Sequence, residues 1–195
     1  MLAAVILAAG ESSRMGSPKA LLASHGRPFL EHLVEVTRHP KVGLLRIVLG
    51  AHAEEVRGKL KLDPVTVVIN PDWSRGQLSS IHAALRSLPT GITDGMLLCL
   101  VDHPLISAAL VSELIEKFYA TGKPIVVPTY GGKRGHPVIL SGQLFPELLV
   151  APLETGARAV VWAHAEEVLE VPTIEEGVVL NLNDPETLRR ALGES

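Results

Sequence analysis

The stretch AAVILAAGESSRMGSPK fills positions 3–19 and joins an apolar run directly to a polar loop. Its first part, residues 3–7, has the length and unbroken apolar character of a β-strand that is buried on both faces of a sheet. Small residues follow at Ala8, Ala9 and Gly10, where a ligand can approach the backbone closely and successive amides can form an anion-binding nest. The stretch therefore predicts a first strand that ends in a ligand-binding loop.

Two cations, Arg14 and Lys19, stand in the same loop. Arginine offers a planar fork of donors and lysine a mobile point charge, so the pair suits the oxygens of a polyphosphate. The loop is not a P-loop, because Gly16 is followed by Ser17-Pro18 instead of Lys and Ser or Thr. An ordinary polar turn between a strand and a helix is the alternative interpretation.

Further apolar runs of strand length alternate with longer amphipathic stretches along the chain. The predicted strands after the first lie at residues 45–49, 65–69, 96–101 and 124–128. The predicted helices lie at 28–38, 53–60, 77–88 and 107–120, and a closing helix begins at Asp184-Pro185. Such alternation is typical of an α/β fold, so we expect three α/β/α layers around a mostly parallel sheet, with residues 130–171 as a variable insert on that sheet.

The composition is that of a compact globular protein. The chain has 195 residues, of which 47% are hydrophobic and 20% charged, and no linker divides it, so we predict one domain over 1–195. The net charge of −3 argues against a broad nucleic-acid-binding surface. The single cysteine, Cys99, excludes an internal disulfide and favours a reducing, cytoplasmic setting. The apolar N-terminal run has no preceding basic residue and is too short to span a bilayer, so we expect no membrane partner.

A lone carboxylate, Asp102, follows the predicted strand 96–101. Open α/β sheets bind ligands at the carboxyl ends of their strands, and an aspartate there can hold a Mg²⁺ ion that bridges phosphates. The alternative is a turn or a helix cap in front of Pro104. Together with the cationic loop, the carboxylate favours the metal-binding interpretation.

Three further segments combine small and polar residues. Residues 70–81 read NPDWSRGQLSSI, with Gly76 at a predicted turn before a helix, and Trp73 is expected to pack rather than to stack on a base. Residues 130–138 read YGGKRGHPV, a glycine-rich basic loop that can close over an anionic acceptor, with a solvated hairpin as the alternative. Residues 181–188 read NLNDPETL and lead into the closing helix.

These segments resemble the motifs of the MobA-like nucleotidyltransferases, which share a glycosyltransferase-A-like, Rossmann-like fold. Residues 7–19 match Leu-Ala-x-Gly-x-Ser-x-Arg-Met-Gly-x-x-Lys, and residues 102–104 are similar to the family's Asp-x-Pro metal motif, with His103 as a departure from the common Gln. Residues 134–138 and 156–158 are similar to the Arg-Gly-His-Pro-Val and Gly-Ala-Arg elements on the acceptor side of the molybdopterin cytidylyltransferase (MocA-like) branch. The resemblance is therefore strongest to that branch.

The resemblance implies a division of the chain into a nucleotide-binding half, about residues 1–104, and an acceptor-binding half, about 105–195. The implied catalytic residues are Arg14, Lys19 and Asp102. The implied nucleotide-binding residues are Leu7, Ala8, Ala9, Gly10, Glu11, Ser12, Ser13, Arg14, Lys19, Asn70, Gly76, Ser79 and Ser80. The implied acceptor-binding residues are Arg134, His136 and Arg158.

The resemblance also implies a metal site made by Asp102 and Asn183. Asn183 stands where the family often has a second aspartate, and its neutral carbonyl oxygen is still acceptable to Mg²⁺. Asp184 is the other candidate for the second position, although its better-supported role is to cap the closing helix.

The implied function is that of a Mg²⁺-dependent nucleotidyltransferase, in which a phosphate oxygen of an acceptor displaces pyrophosphate from a nucleoside triphosphate. Ala9 stands where GTP-using members tend to have Gly, which favours CTP with molybdopterin as the acceptor. The alternatives are a GTP-using molybdenum cofactor guanylyltransferase and, third, an enzyme for a sugar- or alcohol-phosphate acceptor. A noncatalytic nucleotide-binding or cofactor-delivery protein is the rival from another class. A molybdoenzyme or a cofactor chaperone is the expected protein partner.

Overall fold

The computed structural model describes residues 1–13, 15–24, 26–89 and 91–192, and its core is one mixed, mostly parallel sheet. The strands of this part of the chain are β1 Leu2–Ala8, β2 Ala23–Ser24, β3 Arg27–Pro28, β4 Val42–Leu49, β5 Val67–Ile69, β6 Gly95–Leu100, β7 Ile125–Tyr130, β8 Lys133–Arg134, β9 Val138–Ser141 and β10 Val168–Pro172. The sheet has the order β10-β7-β9-β6-β1-β4-β5, with β8 paired to β7, while β2 and β3 form a separate small hairpin. Strand β1 therefore lies inside the sheet, between two parallel neighbours.

Seven α-helices are present in the same described residues. They are α1 Phe29–Val36, α2 Ala53–Lys59, α3 Gln77–Ser87, α4 Ala108–Thr121, α5 Phe145–Val150, α6 Arg158–Ala163 and α7 Pro185–Leu192. Side chains of α1, α2, α4 and α7 pack into one apolar cluster, and side chains of α3, α5 and α6 pack into another. The two clusters lie on opposite faces of the sheet, so the predicted three-layer α/β/α arrangement is confirmed.

The two-residue period of a β-strand explains how β1 packs against both helical layers. Successive side chains of a strand point to opposite faces, and accordingly Ile6 belongs to the first cluster while Val5 and Leu7 belong to the second. All three are buried. An unbroken apolar run is thus required at this position, because neither face of the strand meets water.

One predicted strand is shorter than expected. Residues 65–69 yield only β5, because the chain first forms a 3₁₀ turn over Pro64–Thr66. Asp63 begins this turn: its carboxylate accepts a hydrogen bond from the backbone N–H of Val65 at 3.0 Å, and Pro64 fits the first helical position. Local capping therefore overrides the apolar pattern at the start of that segment.

The segment 130–171 lies on the same sheet, as predicted, but two of its strands run against the others. β9 is inserted between β6 and β7 and is antiparallel to both, and β8 is antiparallel to β7. β10 then returns parallel to β7 at the edge. The helices α5 and α6 follow β9 and complete the second layer. No helix in the described part of the chain has both the length and the apolar character that a membrane crossing requires.

We predict that Ile6→Ala lowers the free energy of unfolding by about 2–5 kcal/mol, because it leaves a cavity in the middle of the first layer. Ile6 is 0% exposed. The matched control is Ile174→Ala, since Ile174 is 95% exposed, and its effect should stay within about 0.5 kcal/mol. Chemical denaturation of the two variants tests the assignment, and equal losses would contradict the buried position of β1.

Candidate functional site

A cavity of about 500 Å³ opens at the carboxyl ends of β1 and β6. Because these two strands are parallel neighbours, the loop that follows β1 and the turn that follows β6 meet at the same edge of the sheet. The loop contributes residues 7–12 and Lys19 to the cavity, and the turn contributes Asp102. Open α/β sheets bind ligands in this position, so the cavity is the candidate nucleotide site.

Backbone contacts hold the loop after β1. The carbonyl of Ala9 accepts from the N–H of Ala51 at 3.1 Å, and a ring nitrogen of His52 lies 2.7 Å from the carbonyl oxygen of Glu11. Ser12 has a positive φ of 56°, and its hydroxyl accepts from the N–H of Lys19 at 3.2 Å. The loop is therefore tied to the sheet at its start and to Lys19 at its end. The predicted catalytic residue Arg14 lies outside the described residues.

The ammonium of Lys19 is the centre of the polar site. It donates to the side-chain carbonyl oxygen of Asn183 and lies 3.5 Å from the carboxylate of Asp102. The Lys19 and Asp102 side chains are 12% and 22% exposed, so their charges interact in a partly desolvated place where attraction is stronger than in water. The structure thus brings three sequence-predicted residues together: one triphosphate cation and both predicted metal ligands.

Asn183 reaches this place because its segment docks on Asp102. The backbone N–H of Leu182 donates to the backbone carbonyl of Asp102 at 2.8 Å. The residue after Asn183 is Asp184, whose two carboxylate oxygens accept from the backbone N–H and the hydroxyl of Thr187, at 2.8 and 2.9 Å. Asp184 is therefore the cap at the start of α7, and Asn183 is the side chain of this segment that contacts Lys19.

The segment 70–81 lines one side of the cavity, and hydrogen bonds within the segment stabilise its turn. Ser80 and Gly76 line the cavity, whereas Asn70 and Ser79 support the turn from behind. The Asn70 amide donates to the hydroxyls of Ser79 and Ser80 at 2.9 and 3.0 Å, and the Ser79 hydroxyl is 2.7 Å from the carbonyl of Gly76. Trp73 both lines the cavity and packs on the second apolar cluster.

A second cavity of about 450 Å³ adjoins the first, and Gln77 lines both. Arg134, His136 and Arg158, the three residues predicted to bind the acceptor, all line this second cavity. Much of the remaining lining is apolar, with residues such as Leu98 from the sheet. Arg134 and His136 from the segment 130–138 and Arg158 from α6 thus share one cavity beside the first.

The glycine-rich segment 130–138 forms a tight hairpin. Gly131 and Gly132 occupy its turn with φ values of 55° and 75°, which glycine adopts without the strain that other residues incur. Arg134 pairs with Glu170 of β10 at 2.7 Å. The segment is therefore a hairpin in which β8 is paired to β7, and its closure over an acceptor stays a prediction.

Two histidine rings lie close to each other near Asp102: His103 Nε2 is 4.0 Å from the Asp102 carboxylate, and His136 lines the second cavity. The rings of His103 and His136 have centroids 5.1 Å apart. His103 is 8% exposed, and its buried Nδ1 has no hydrogen-bond partner within the described residues. Burial lowers the pKa of His103 and lowers that of His136 to about 4, with the neighbouring His103 charge adding to the effect at His136. With a pKa of about 4, the His136 ring is neutral at pH 7.

The site consists of two adjoining cavities, one of which opens at the carboxyl ends of parallel strands, and comparison with known proteins identifies the family. The profile of the MobA-like NTP transferase domain matches residues 4–168. This chain belongs to that family. Nicotine blue oxidoreductase of Paenarthrobacter nicotinovorans is a relative with 33% identity over 166 residues, which cover 79% of this chain and 78% of the relative.

Solved structures place the MobA-like chain among known folds. Rv0371c of Mycobacterium tuberculosis H37Rv superposes with a TM-score of 0.81 at 27% identity, over 100% of both chains. Its complex with manganese gives a TM-score of 0.74 at 27% identity, over 100% of this chain and 99% of that one. Molybdopterin-guanine dinucleotide biosynthesis protein A of Archaeoglobus fulgidus gives 0.69 at 19% identity, over 98% and 97%, and supports the fold alone.

Several lining residues of this MobA-like site were not predicted from the sequence. Gln77, His52 and Asn181 are examples. Gln77 could have been found, because it opens the helix after Gly76. No local sequence pattern indicated His52 or Asn181. His52 is held at the cavity by its contact with Glu11, a long-range contact that no local pattern encodes.

We predict that the MobA-like domain loses stability in acid through His136. Its folded pKa of about 4 lies below the ordinary value of 6.5, so the unfolded state binds more protons between these values and stability falls as pH falls through the window. His136→Gln should flatten the dependence of unfolding free energy on pH from 7 to 4.5. A slope equal to that of the unaltered protein would contradict the neutral, buried ring.

The pKa of His164 shifts in the opposite direction from that of His136. Hydrogen bonds to the carboxylates of Glu167 and Glu147 raise its pKa, so its stabilisation is present below the unfolded pKa and is lost as pH rises through the folded one. His164→Gln should therefore weaken the protein more at pH 5.5 than at pH 9, whereas His136→Gln should show its relative benefit in acid.

Proposed function

We propose that the protein is a Mg²⁺-dependent nucleotidyltransferase that transfers CMP from CTP to the phosphate of an acceptor such as molybdopterin, with release of pyrophosphate. The observation that carries the proposal is the meeting of Lys19, Asp102 and Asn183 at the mouth of the loop after β1. A mobile cation, a carboxylate and an amide oxygen beside a backbone loop are what a metal-bound triphosphate requires. Membership of the MobA-like family supports the nucleoside triphosphate as substrate.

The donor set fits a divalent metal ion. Asp102 and Asn183 both present oxygens to one point, now taken by the Lys19 ammonium, and Mg²⁺ prefers one or two such protein oxygens together with substrate phosphates and water. No group of three or more histidine, cysteine or acidic side chains suited to a metal occurs within the described residues. The manganese complex of Rv0371c is consistent with a divalent ion in this fold.

The proposed reaction is a direct displacement. An oxygen of the acceptor phosphate forms a new bond to the α-phosphorus of the nucleotide, and the bond from that phosphorus to the bridging oxygen breaks as pyrophosphate leaves. In such chemistry the protein positions the reactants and neutralises charge, so no covalent nucleophile is needed. Cys99 is not suited to act as a nucleophile, because burial raises its pKa to about 12.

The chain divides the work between its two cavities. Residues 1–104 hold the nucleotide, with Lys19 on the triphosphate and Asp102 on the metal, and Arg14 is assigned to the triphosphate by the family motif. Asn183, from the C-terminal half, is the second metal ligand. Residues 105–195 hold the acceptor, for which the apolar floor and the two arginines of the second cavity suit a flat ring system that carries phosphate. Gln77 lines both cavities, so the two substrates approach each other across it.

The choice of CTP over GTP rests on the cytidylyltransferase-like segment 134–138 more than on Ala9. Ala9 is only 5% exposed, and its Cβ would lie 2.9 Å from a Cβ placed on Gly50. Its methyl group therefore packs against Gly50 and takes little room from a base. One methyl in a binding site discriminates by about 1–3 kcal/mol at most. We place the reaction in the cytoplasm, with a molybdoenzyme or a cofactor chaperone as the receiver of the product.

We predict that Asp102→Ala and Lys19→Met each slow pyrophosphate release by about 10²-fold or more, because each removes charge stabilisation from the transition state. Lys117→Met is the matched control for the lysine, since Lys117 is exposed on α4, and it should leave the rate unchanged. Near-normal turnover of Asp102→Ala with Mg²⁺ would overturn the metal assignment.

The nucleotide and the class of protein are tested in one assay. Pyrophosphate release is followed with molybdopterin, Mg²⁺ and either CTP or GTP. We expect higher turnover with CTP. Faster turnover with GTP would support a molybdenum cofactor guanylyltransferase instead, and nucleotide binding without any pyrophosphate release would support a noncatalytic carrier.

A second candidate function is reduction of a flat organic compound by a nicotinamide dinucleotide. It is favoured by the relative named nicotine blue oxidoreductase and by the adjoining cavities, one beside a phosphate-binding loop and the other mostly apolar. A hydride would pass from the dihydronicotinamide to the compound, and water would supply the proton. Loss of NADH or NADPH absorbance with a soluble quinone tests it; no loss, together with pyrophosphate release in the first assay, would exclude it.

A further inference from the structure

Lys19 already engages the oxygens that the proposed function assigns to a divalent cation. Its ammonium donates to the Asn183 carbonyl oxygen and lies 3.5 Å from the Asp102 carboxylate. A divalent cation that bound to Asp102 and Asn183 would have to share this place with the ammonium. Two cations so close repel each other strongly where water is partly excluded, so one must leave before the other can bind.

The charges of the three described side chains that meet here, Lys19, Asp102 and Asn183, sum to zero without any ligand. Asp102 contributes one negative charge, Lys19 one positive charge, and Asn183 none. A second carboxylate at position 183 would leave a net negative site that attracts a divalent cation even in the presence of the lysine. With an amide there, Asp102 is fully compensated by the lysine, and the protein alone offers little electrostatic reason to take up a metal.

We propose that Lys19 and Asn183 form a lock that keeps the metal site closed until a triphosphate arrives. The triphosphate supplies new negative charge, draws the Lys19 ammonium onto its own oxygens and so frees Asp102 and Asn183. The protein then accepts its divalent cation only together with the nucleotide. This inference rests on the proposed function, and it makes Asn183 a positioning residue that determines the order of binding.

Partial burial of Lys19 and the backbone contacts around Asn183 hold the two residues of the lock together. The Lys19 side chain is 12% exposed, so its ammonium needs oxygen partners in place of most of its water. The backbone hydrogen bond from Leu182 to Asp102 and the cap that Asp184 provides to α7 fix the backbone on both sides of Asn183. An amide is also a partner that the lysine can leave, since a hydrogen bond to a neutral oxygen is weaker than one to a carboxylate.

The test measures Mn²⁺ binding to the full chain without nucleotide, from the loss of the electron paramagnetic resonance signal of free Mn²⁺. The unaltered protein should bind weakly. Lys19→Met should bind at least about tenfold more tightly, because the competing ammonium is gone, and Asn183→Asp should also bind more tightly, because the site then holds two carboxylates. A role of Lys19 in binding triphosphate alone would leave nucleotide-free Mn²⁺ affinity unchanged.

Two matched controls accompany these variants. Lys117→Met makes the same change on exposed α4 and should leave Mn²⁺ affinity unaltered. Asn181→Asp adds the same charge as Asn183→Asp two positions earlier, on a residue that lines the same cavity, and should raise the affinity much less. Thermal unfolding of each variant verifies that the fold is intact. Tight Mn²⁺ binding by the unaltered protein, or equal binding by Lys19→Met, would overturn the lock.

The outcome is separable from that of the proposed function. If Lys19→Met gains Mn²⁺ affinity but the unaltered protein releases no pyrophosphate from CTP or GTP, the lock stands and the proposed reaction fails. If pyrophosphate is released but nucleotide-free Mn²⁺ binding is the same in both proteins, the reaction stands and the lock fails.

Discussion

The hydrogen bond from the backbone N–H of Leu182 to the backbone carbonyl of Asp102, 2.8 Å long, joins two parts of the chain that the sheet alone would leave apart. β1 and β6 bring Lys19 and Asp102 to one edge simply because they are parallel neighbours. Asn183 has no such strand to carry it there. Its position beside Lys19 depends on the segment before α7 being laid along the turn after β6, and this one backbone contact fixes that alignment.

The same C-terminal segment also supports the second cavity. The N–H of His136 donates to the carbonyl of Val178 at 2.8 Å, and a Cβ placed on Gly135 would lie 2.3 Å from that carbonyl oxygen. Glycine is therefore required at 135 by a close backbone approach. Because residues 178–183 contact the hairpin at one end and Asp102 at the other, they couple the geometry of the two cavities. A shift of this segment would move Asn183 and His136 together.

The sequence predicted the fold well because its evidence is local. Five strands and four helices could be placed from apolar runs and amphipathic periods, and the chosen segments are all elements of the observed sheet or its layers. The antiparallel insertion of β9 was not predictable, since four residues of Val138–Ser141 carry no information about direction or neighbours. Direction is set by pairing with β6 and β7, which is a property of the assembled sheet.

The candidate site was predictable in its parts and not in its connections. Lys19 and Asp102 could be chosen from a cationic loop and a strand-end carboxylate, but the contact between Lys19 and Asn183 spans 164 positions and leaves no local pattern. His103 illustrates the same limit: its neighbours in sequence suggested a metal motif, whereas its burial against His136 comes from the hairpin of a distant segment.

Charge compensation explains why a site for a polyanion belongs to a chain with a net charge of −3. Two cations of the cavities are already paired in the protein: Lys19 with Asp102 and Arg134 with Glu170. A ligand must replace these carboxylates as partners, and a single weak charge gains little from doing so. A triphosphate carries several charges on neighbouring oxygens, so it can take Lys19 and at the same time bring a cation to the carboxylate that is released. Because the charges of the protein are already paired, the cavities favour a ligand that brings both negative and positive charge, as a metal-bound nucleotide does.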